Sequence, residues 1–151
     1  MIQLVRTDSK NLNFVNLVSK LDADLGERDG EDHAFYHQFN SIDAIKYAVV
    51  AYSNEIAVGC GAIKEQDANC MEVKRMYVTP EARGKGIATK VLQELEKWAA
   101  ELNFTSCVLE TGKRQPEAIA LYKKNGYRTI PNYGHYVGVE NSMCFKKTVS
   151  F

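Results

Sequence analysis

Glu72-Val73-Lys74-Arg75-Met76-Tyr77-Val78-Thr79-Pro80-Glu81-Ala82-Arg83-Gly84-Lys85-Gly86-Ile87-Ala88 reads as a strand, a turn stopped by Pro80, a basic glycine-rich loop and the first turn of a helix. A loop of that kind leaves several backbone N–H groups unpaired at a helix N-terminus. There the orphan donors and the helix dipole both favour negative charge. The stretch therefore predicts a phosphate-bearing ligand.

Working outward, the helix after Gly86 carries Ile87, Val91, Leu95, Trp98, Ala99 and Leu102 on one apolar stripe. Thr105–Thr111 returns as a buried strand, and a right-handed crossover sets it parallel to Cys70–Val78. Pro116 suits the first position of the next helix, which ends at Gly126, and Met143–Thr148 closes the chain as a strand. Upstream, Tyr47–Tyr52 and Ile56–Ile63 are strands joined by a turn at Ser53-Asn54. A tight connection makes Cys70–Val78 antiparallel to the second of them. Ile2–Arg6 is a further strand. Asp8 or Ser9 is expected to cap a helix with Leu12, Val15, Val18, Leu21 and Leu25 on one face. From Gly26 to Ser41 the pattern breaks down into a loop with room for a short helix. The order predicts an α/β (α+β) fold with a mixed, mainly antiparallel sheet flanked by helices.

The chain has 151 residues, enough for one domain over 1–151 with a sizeable core. Nineteen basic and nineteen acidic side chains cancel, so no global field draws it to nucleic acid or membrane. Met1-Ile2-Gln3-Leu4-Val5-Arg6-Thr7-Asp8 meets charge too early for a signal segment or a spanning helix. Cys60, Cys70, Cys107 and Cys144 are scattered without a C-x-x-C pair, as expected of reduced core thiols in a cytoplasmic protein. His33, His37 and His135 lack metal spacing, and no metal is expected.

Three phosphate signatures compete for Arg83–Ala88. A P-loop needs G-x-x-x-x-G-K-[ST], but Lys85 precedes Gly86 and no Ser or Thr follows a GK pair. A dinucleotide fingerprint needs a third glycine where Thr89 stands. What remains is R-x-x-G-x-A, met by Arg83, Gly86 and Ala88. Small residues there let a pyrophosphate approach the backbone, with Arg83 or Lys85 adding charge-assisted contacts.

These residues resemble the GNAT superfamily of acyl-CoA-dependent N-acetyltransferases. The likeness covers roughly the last two-thirds of the chain, and Glu72–Ala88 is its most specific part. Val108–Gly112, Ala118–Tyr127 and Ser142–Phe145 are similar to later blocks of that family. The resemblance implies acetyl-CoA as co-substrate, an amine acceptor and, among relatives, a homodimer. It further implies that Cys70–Val78 and Thr105–Thr111 splay into a V holding the pantetheine arm. Backbone groups of Met76, Tyr77 and Val78 would then face that arm. Those of Arg83, Gly84, Lys85, Gly86, Ile87, Ala88 and Thr89 would serve the pyrophosphate.

Acetyl transfer to an alkyl ammonium, of pKa about 10, needs a base, directly or through water. Glu72 is the first candidate. It precedes Met76 by four residues, and strand alternation places both on one face unless a bulge intervenes. The alternative is an exposed strand glutamate paired with Lys74 or Arg75. Glu110, near the end of the neighbouring strand, is a substrate contact or second base. Tyr122 is the general-acid candidate, since a phenol stays protonated at neutral pH; the alternative is a tyrosine packing its ring in the core. His33, Tyr36 and Tyr133 lie in aromatic-polar loop segments suited to an acceptor pocket. Two other functions stay open: a silent acyl-CoA-binding module, and a nucleic-acid binder through Arg75, Arg83, Lys85 and Lys90. Glu72 and Glu81, interleaved among those cations, oppose the second.

Overall fold

The computed structural model describes residues 1–29 and 45–149, with the backbone alone for 26–29. Its elements are β1 (Ile2–Thr7), α1 (Leu12–Asp29), β2 (Tyr47–Ser53), β3 (Ile56–Glu65), β4 (Cys70–Val78), α2 (Ile87–Glu101), β5 (Ser106–Gly112), α3 (Pro116–Lys124), β6 (Arg128–Ile130) and β7 (Ser142–Thr148). The seven strands form one sheet in the order β1-β2-β3-β4-β5-β7-β6. Each neighbouring pair is antiparallel except β4 with β5. This is the mixed, mainly antiparallel sheet expected. β6, three residues long, was not anticipated.

Period-two burial divides the sheet into two faces. Val49, Ala51, Ile63, Met71 and Val73 pack with Ile87, Val91 and Leu95 of α2. Ala48, Val50, Cys60 and Ala62 pack with Phe14, Leu17, Val18 and Leu21 of α1. Each large apolar side chain so buried contributes about 1.5–3 kcal/mol against conformational entropy. Trp98 and Leu102 lie at the margin of the α2 cluster, while Leu92 and Glu96 of that helix are buried.

Helix α1 corrects three expectations. Its cap is Asn11, whose Oδ1 accepts the Phe14 N–H at 3.0 Å, whereas Asp8 accepts the Lys10 N–H in the turn before. Starting there, the buried stripe takes Phe14 and Leu17 and leaves Leu12 76% exposed and Val15 half-buried. The helix also runs through Gly26 to Asp29. One glycine costs a helix interior only about 1 kcal/mol, too little to stop a helix already propagating. The β2–β3 turn sits at Asn54-Glu55, with φ of 50° and 70°, one residue later than expected. Two positive φ values are what a two-residue type I′ hairpin loop requires.

Two irregularities in β4 shape the cleft. The first is a bulge: Cys60 opposes Tyr77 but Ala62 opposes Lys74, so Gly61 faces both Arg75 and Met76. Arg75 takes the left-handed conformation, φ 60°. The extra residue reverses alternation, so Glu72 and Met76 point to opposite faces, contrary to the unbulged expectation. Met76 packs into the α2 cluster. Gly61 makes room for it, since a Cβ there would lie 2.5 Å from the Met76 sulfur and 2.9 Å from both Val91 and Leu95 methyls. The second irregularity is the parting of β4 from β5. They pair only through Cys70–Ser106, Met71–Cys107 and Glu72–Val108. Beyond Glu72 the strands diverge, which gives the expected V.

Candidate active site

A single 3₁₀ turn, Pro80–Ala82, leads from β4 into the glycine loop. The Ala82 and Arg83 N–H groups are spent on the Thr79 and Pro80 carbonyls, and Lys90 N–H makes the first bond of α2, to Gly86 at 3.1 Å. Between them, the six N–H groups of Gly84 to Thr89 donate to no acceptor among the described residues, and no side chain caps α2. Gly84 and Gly86 hold φ of 79° and 78°, and a Cβ built on either would meet nothing within 4 Å. Left-handed glycines therefore turn the main chain outward toward open space, at the positive end of a 15-residue helix. This is the nest of donors that a diphosphate needs. Arg83 gives its Nε–H to the Val78 carbonyl at 2.9 Å, and its guanidinium lies 5.6 Å from the Tyr77 ring centre. Lys85 is exposed, and of the loop from Arg83 to Thr89 it alone is absent from the cleft wall.

The β4 main chain supplies a second set of groups. Thr79 N–H reaches Val58 of β3 at 2.9 Å. Backbone direction alternates along a strand, so Tyr77 also faces β3, while Val78 and Met76 turn their N–H and C=O to the edge that β5 has left. An extended amide chain laid there would continue the sheet. Tyr77 contributes its ring to the cleft and its backbone to β3.

The cavity inside the V has a volume of about 580 Å³, with walls from α1, β4, α2, β5 and α3. Glu72, 6% exposed, lies where the strands cease to pair. Its Oε2 accepts the Tyr133 hydroxyl at 2.7 Å, and its Oε1 lies 3.7 Å from Lys74 Nζ. Of the two partners weighed from sequence, Lys74 is thus beside it, while Arg75 turns to Asp22 at 2.8 Å. Burial pushes the Lys74 ammonium below its ordinary pKa, against the pull of Glu72. Glu110 also lines the cavity, and its Oε2 accepts the Ser142 hydroxyl at 2.6 Å. Tyr122 is buried on α3 with its ring 5.8 Å from that of Tyr127 and 6.3 Å from Phe145. Burial, then the nearby Glu110 charge, pushes its phenol well above the ordinary range, so it stays protonated.

Glu72, Glu110, Tyr122 and the glycine loop thus meet in one cleft. His33 and Tyr36 lie outside the described residues. Tyr133 reaches Glu72 rather than the cavity wall, where its neighbour Tyr136 stands instead. Sequence reading passed over Arg75 as a cleft residue, although it is 7% exposed on that wall with its Nε buried and unpartnered among the described residues. It also passed over Ser142, and Asn125, whose Nδ2 donates to Thr89 Oγ1 at 3.4 Å and ties α3 to the start of α2. Nothing in their spacing marks them. Among the described residues no three His, Cys, Asp or Glu side chains converge as a metal site, and no helix is long and apolar enough to cross a membrane.

Comparisons with known proteins point to one family. The family model described as Acetyltransferase (GNAT) family matches residues 15–127. An IAA acetyltransferase of Azospirillum brasilense is 35% identical over 125 residues, 81% of either chain. A solved Klebsiella pneumoniae structure, named as an acyl-CoA N-acyltransferase, superposes with a TM-score of 0.83 at 30% identity, over 99% of this chain and 98% of that one. The fold is shared, at 16% identity and a TM-score of 0.70, with an Elizabethkingia anophelis GNAT acetyltransferase solved with acetyl-CoA bound, over 97% of each chain.

Proposed function

The chain belongs to the acetyltransferase (GNAT) family and is an acetyl-CoA-dependent N-acetyltransferase; from that premise we propose that it acetylates a primary amine by direct attack, with Glu72 as base and Tyr122 as acid. The observation that carries this reading is the run of six N–H groups, Gly84 to Thr89, unspent among the described residues, in a loop that, Lys85 apart, lines the same cavity as Glu72, Glu110 and Tyr122. Residues 1–151 act as one acetyltransferase domain.

Acetyl-CoA supplies an activated acetyl group and a thiolate leaving group. The main chain of Gly84–Thr89 holds its diphosphate, and the edge at Met76 and Val78, where the Val78 carbonyl also accepts the Arg83 Nε–H, holds its amide-bearing arm. Glu110 draws the acceptor in as an ammonium and orients it. Glu72 takes the ammonium proton, directly or through one water, which frees the nitrogen lone pair for attack. Its remaining lone pairs allow this while Tyr133 stays bonded. Tyr122 donates to the departing sulfur. Its raised pKa, set against about 8.5 for a free thiol, makes that donation a hydrogen bond to the developing charge, and the thiolate finally takes up, through solvent, the second proton that the acetylated nitrogen gives up.

Thiol release from acetyl-CoA, followed across a panel of primary amines, tests the reading. Amine-dependent release is the expected result. A thermal shift with acetyl-CoA but no release with any amine assigns the chain instead as a silent acyl-CoA-binding module.

A further inference from the structure

Both cleft carboxylates are held from one segment. The β6–β7 connection brings the Tyr133 hydroxyl to Glu72 at 2.7 Å, and Ser142, where β7 begins, brings its own to Glu110 at 2.6 Å. Glu72 is paired with Val108 of β5 and Glu110 lies two residues further along that strand, so strand pairing fixes their backbones and leaves the carboxylates themselves to be oriented by their donors. Their segment is braced from within: Asn132 Nδ2 donates to the carbonyls of Tyr136 and Val139 at 3.1 and 3.2 Å. Tyr136 N–H bonds Tyr133 O at 3.0 Å, and the two rings meet edge to face at 5.7 Å. Tyr133 is thus a fixed donor that is not part of the cavity wall.

We propose that Tyr133 is a positioning residue, whose hydroxyl keeps the Glu72 carboxylate aimed into the cleft and, by donating to its charged form, favours the state in which it can act as base. The proposal rests on the reading of Glu72 as base and deepens it.

The argument is one of competing forces. Enclosing a carboxylate to 6% exposure favours its neutral form, whereas a hydroxyl donated to it favours the charged form. The other titratable groups around Glu72 are Lys64 directly opposite it on β3, Lys74 and Cys70 on β4, His135 on the connection and Cys144 on β7. Lys74 helps from 3.7 Å, beyond hydrogen-bond length, and burial weakens its own charge. The Cys70 thiol is raised by burial, and the Cys144 thiol is raised to about 11, so both are neutral at working pH. Burial lowers the His135 imidazole, which is therefore neutral near pH 7. The Tyr133 phenol is pushed far up by burial and by Glu72, so it remains a donor throughout. Removing its hydroxyl leaves the enclosure and takes away the compensation.

The variant is Tyr133→Phe, which keeps the ring and its contact with Tyr136. The direct readout is a ¹³C titration of the Glu72 carboxyl in the full chain, assigned by its loss in Glu72→Gln; it needs no acceptor. The midpoint is expected about one pH unit higher in Tyr133→Phe. The acidic limb of kcat/KM with an accepted amine should rise equally, with the rate recovering at high pH and acetyl-CoA affinity unchanged. Ser142→Ala, the control on the other carboxylate, should leave the Glu72 midpoint in place. A midpoint unmoved in Tyr133→Phe overturns the proposal, as does an equal movement in Ser142→Ala, which would mark a general loosening. Full activity in Glu72→Gln overturns it differently: the base reading fails even if the midpoint has shifted.

Discussion

At Gly84–Thr89 the chain presents six main-chain donors with no acceptor among the described residues, whereas at Glu72 and Glu110 the cleft presents two carboxylates that each already hold a short hydrogen bond. The two ends answer different demands. An anchor for a diphosphate gains from groups left over, because the ligand completes bonds that the protein lacks. A base must be oriented before its substrate arrives, because a small misplacement costs large factors in rate. The first end is made by one loop and the start of α2. The second joins strands to a connection 61 residues away in sequence. Binding is therefore a local property of this chain, and its chemistry is a tertiary one.

That contrast can be attacked from either side. Glu72→Gln keeps the side-chain shape and abolishes the base, so kcat/KM at neutral pH should fall by roughly 10²–10⁴ while the acetyl-CoA thermal shift is retained. A parallel loss of cofactor binding would show the two ends to be coupled. Gly86→Val forces a β-branched residue to a φ of 78° and puts its methyls at the proposed diphosphate site. Acetyl-CoA affinity by calorimetry should weaken on the order of tenfold or more, with the Glu72 carboxyl titration unmoved. Tyr122→Phe preserves the ring contacts with Tyr127 and Phe145 and removes the donor alone. An approximately tenfold drop in kcat is expected, with the melting temperature little changed. Wild-type turnover in that variant would leave the thiolate to solvent.

The same contrast governs what sequence reading could reach. Strands β2 to β5 and helix α2 announce themselves through runs of β-formers or a 3.6-residue stripe, and the glycine loop through consecutive residues. α1 was misphased because Leu12 and Val15 fit a helical period as well as Phe14 and Leu17 do, and only contact with the sheet decides between them. Arg128–Ile130 is too short and polar to show a period. The bulge leaves no mark at Arg75, an ordinary residue in an extraordinary conformation. The role of Tyr133 was hidden for a different reason. Its partner is chosen by the fold, and a lone aromatic in a loop carries no address.

The bulge also separates the duties of β4. Up to Lys74 one parity of residues serves the α2 layer, and after Arg75 the other parity does. Excising that residue would leave Met76 alone opposite Gly61, a regular ladder in which Tyr77 and Val78 keep the layers they now serve and only the local bend is lost. The added residue therefore acts on the course of the strand, which bends and twists more strongly where β5 departs, and not on which layer each later side chain serves.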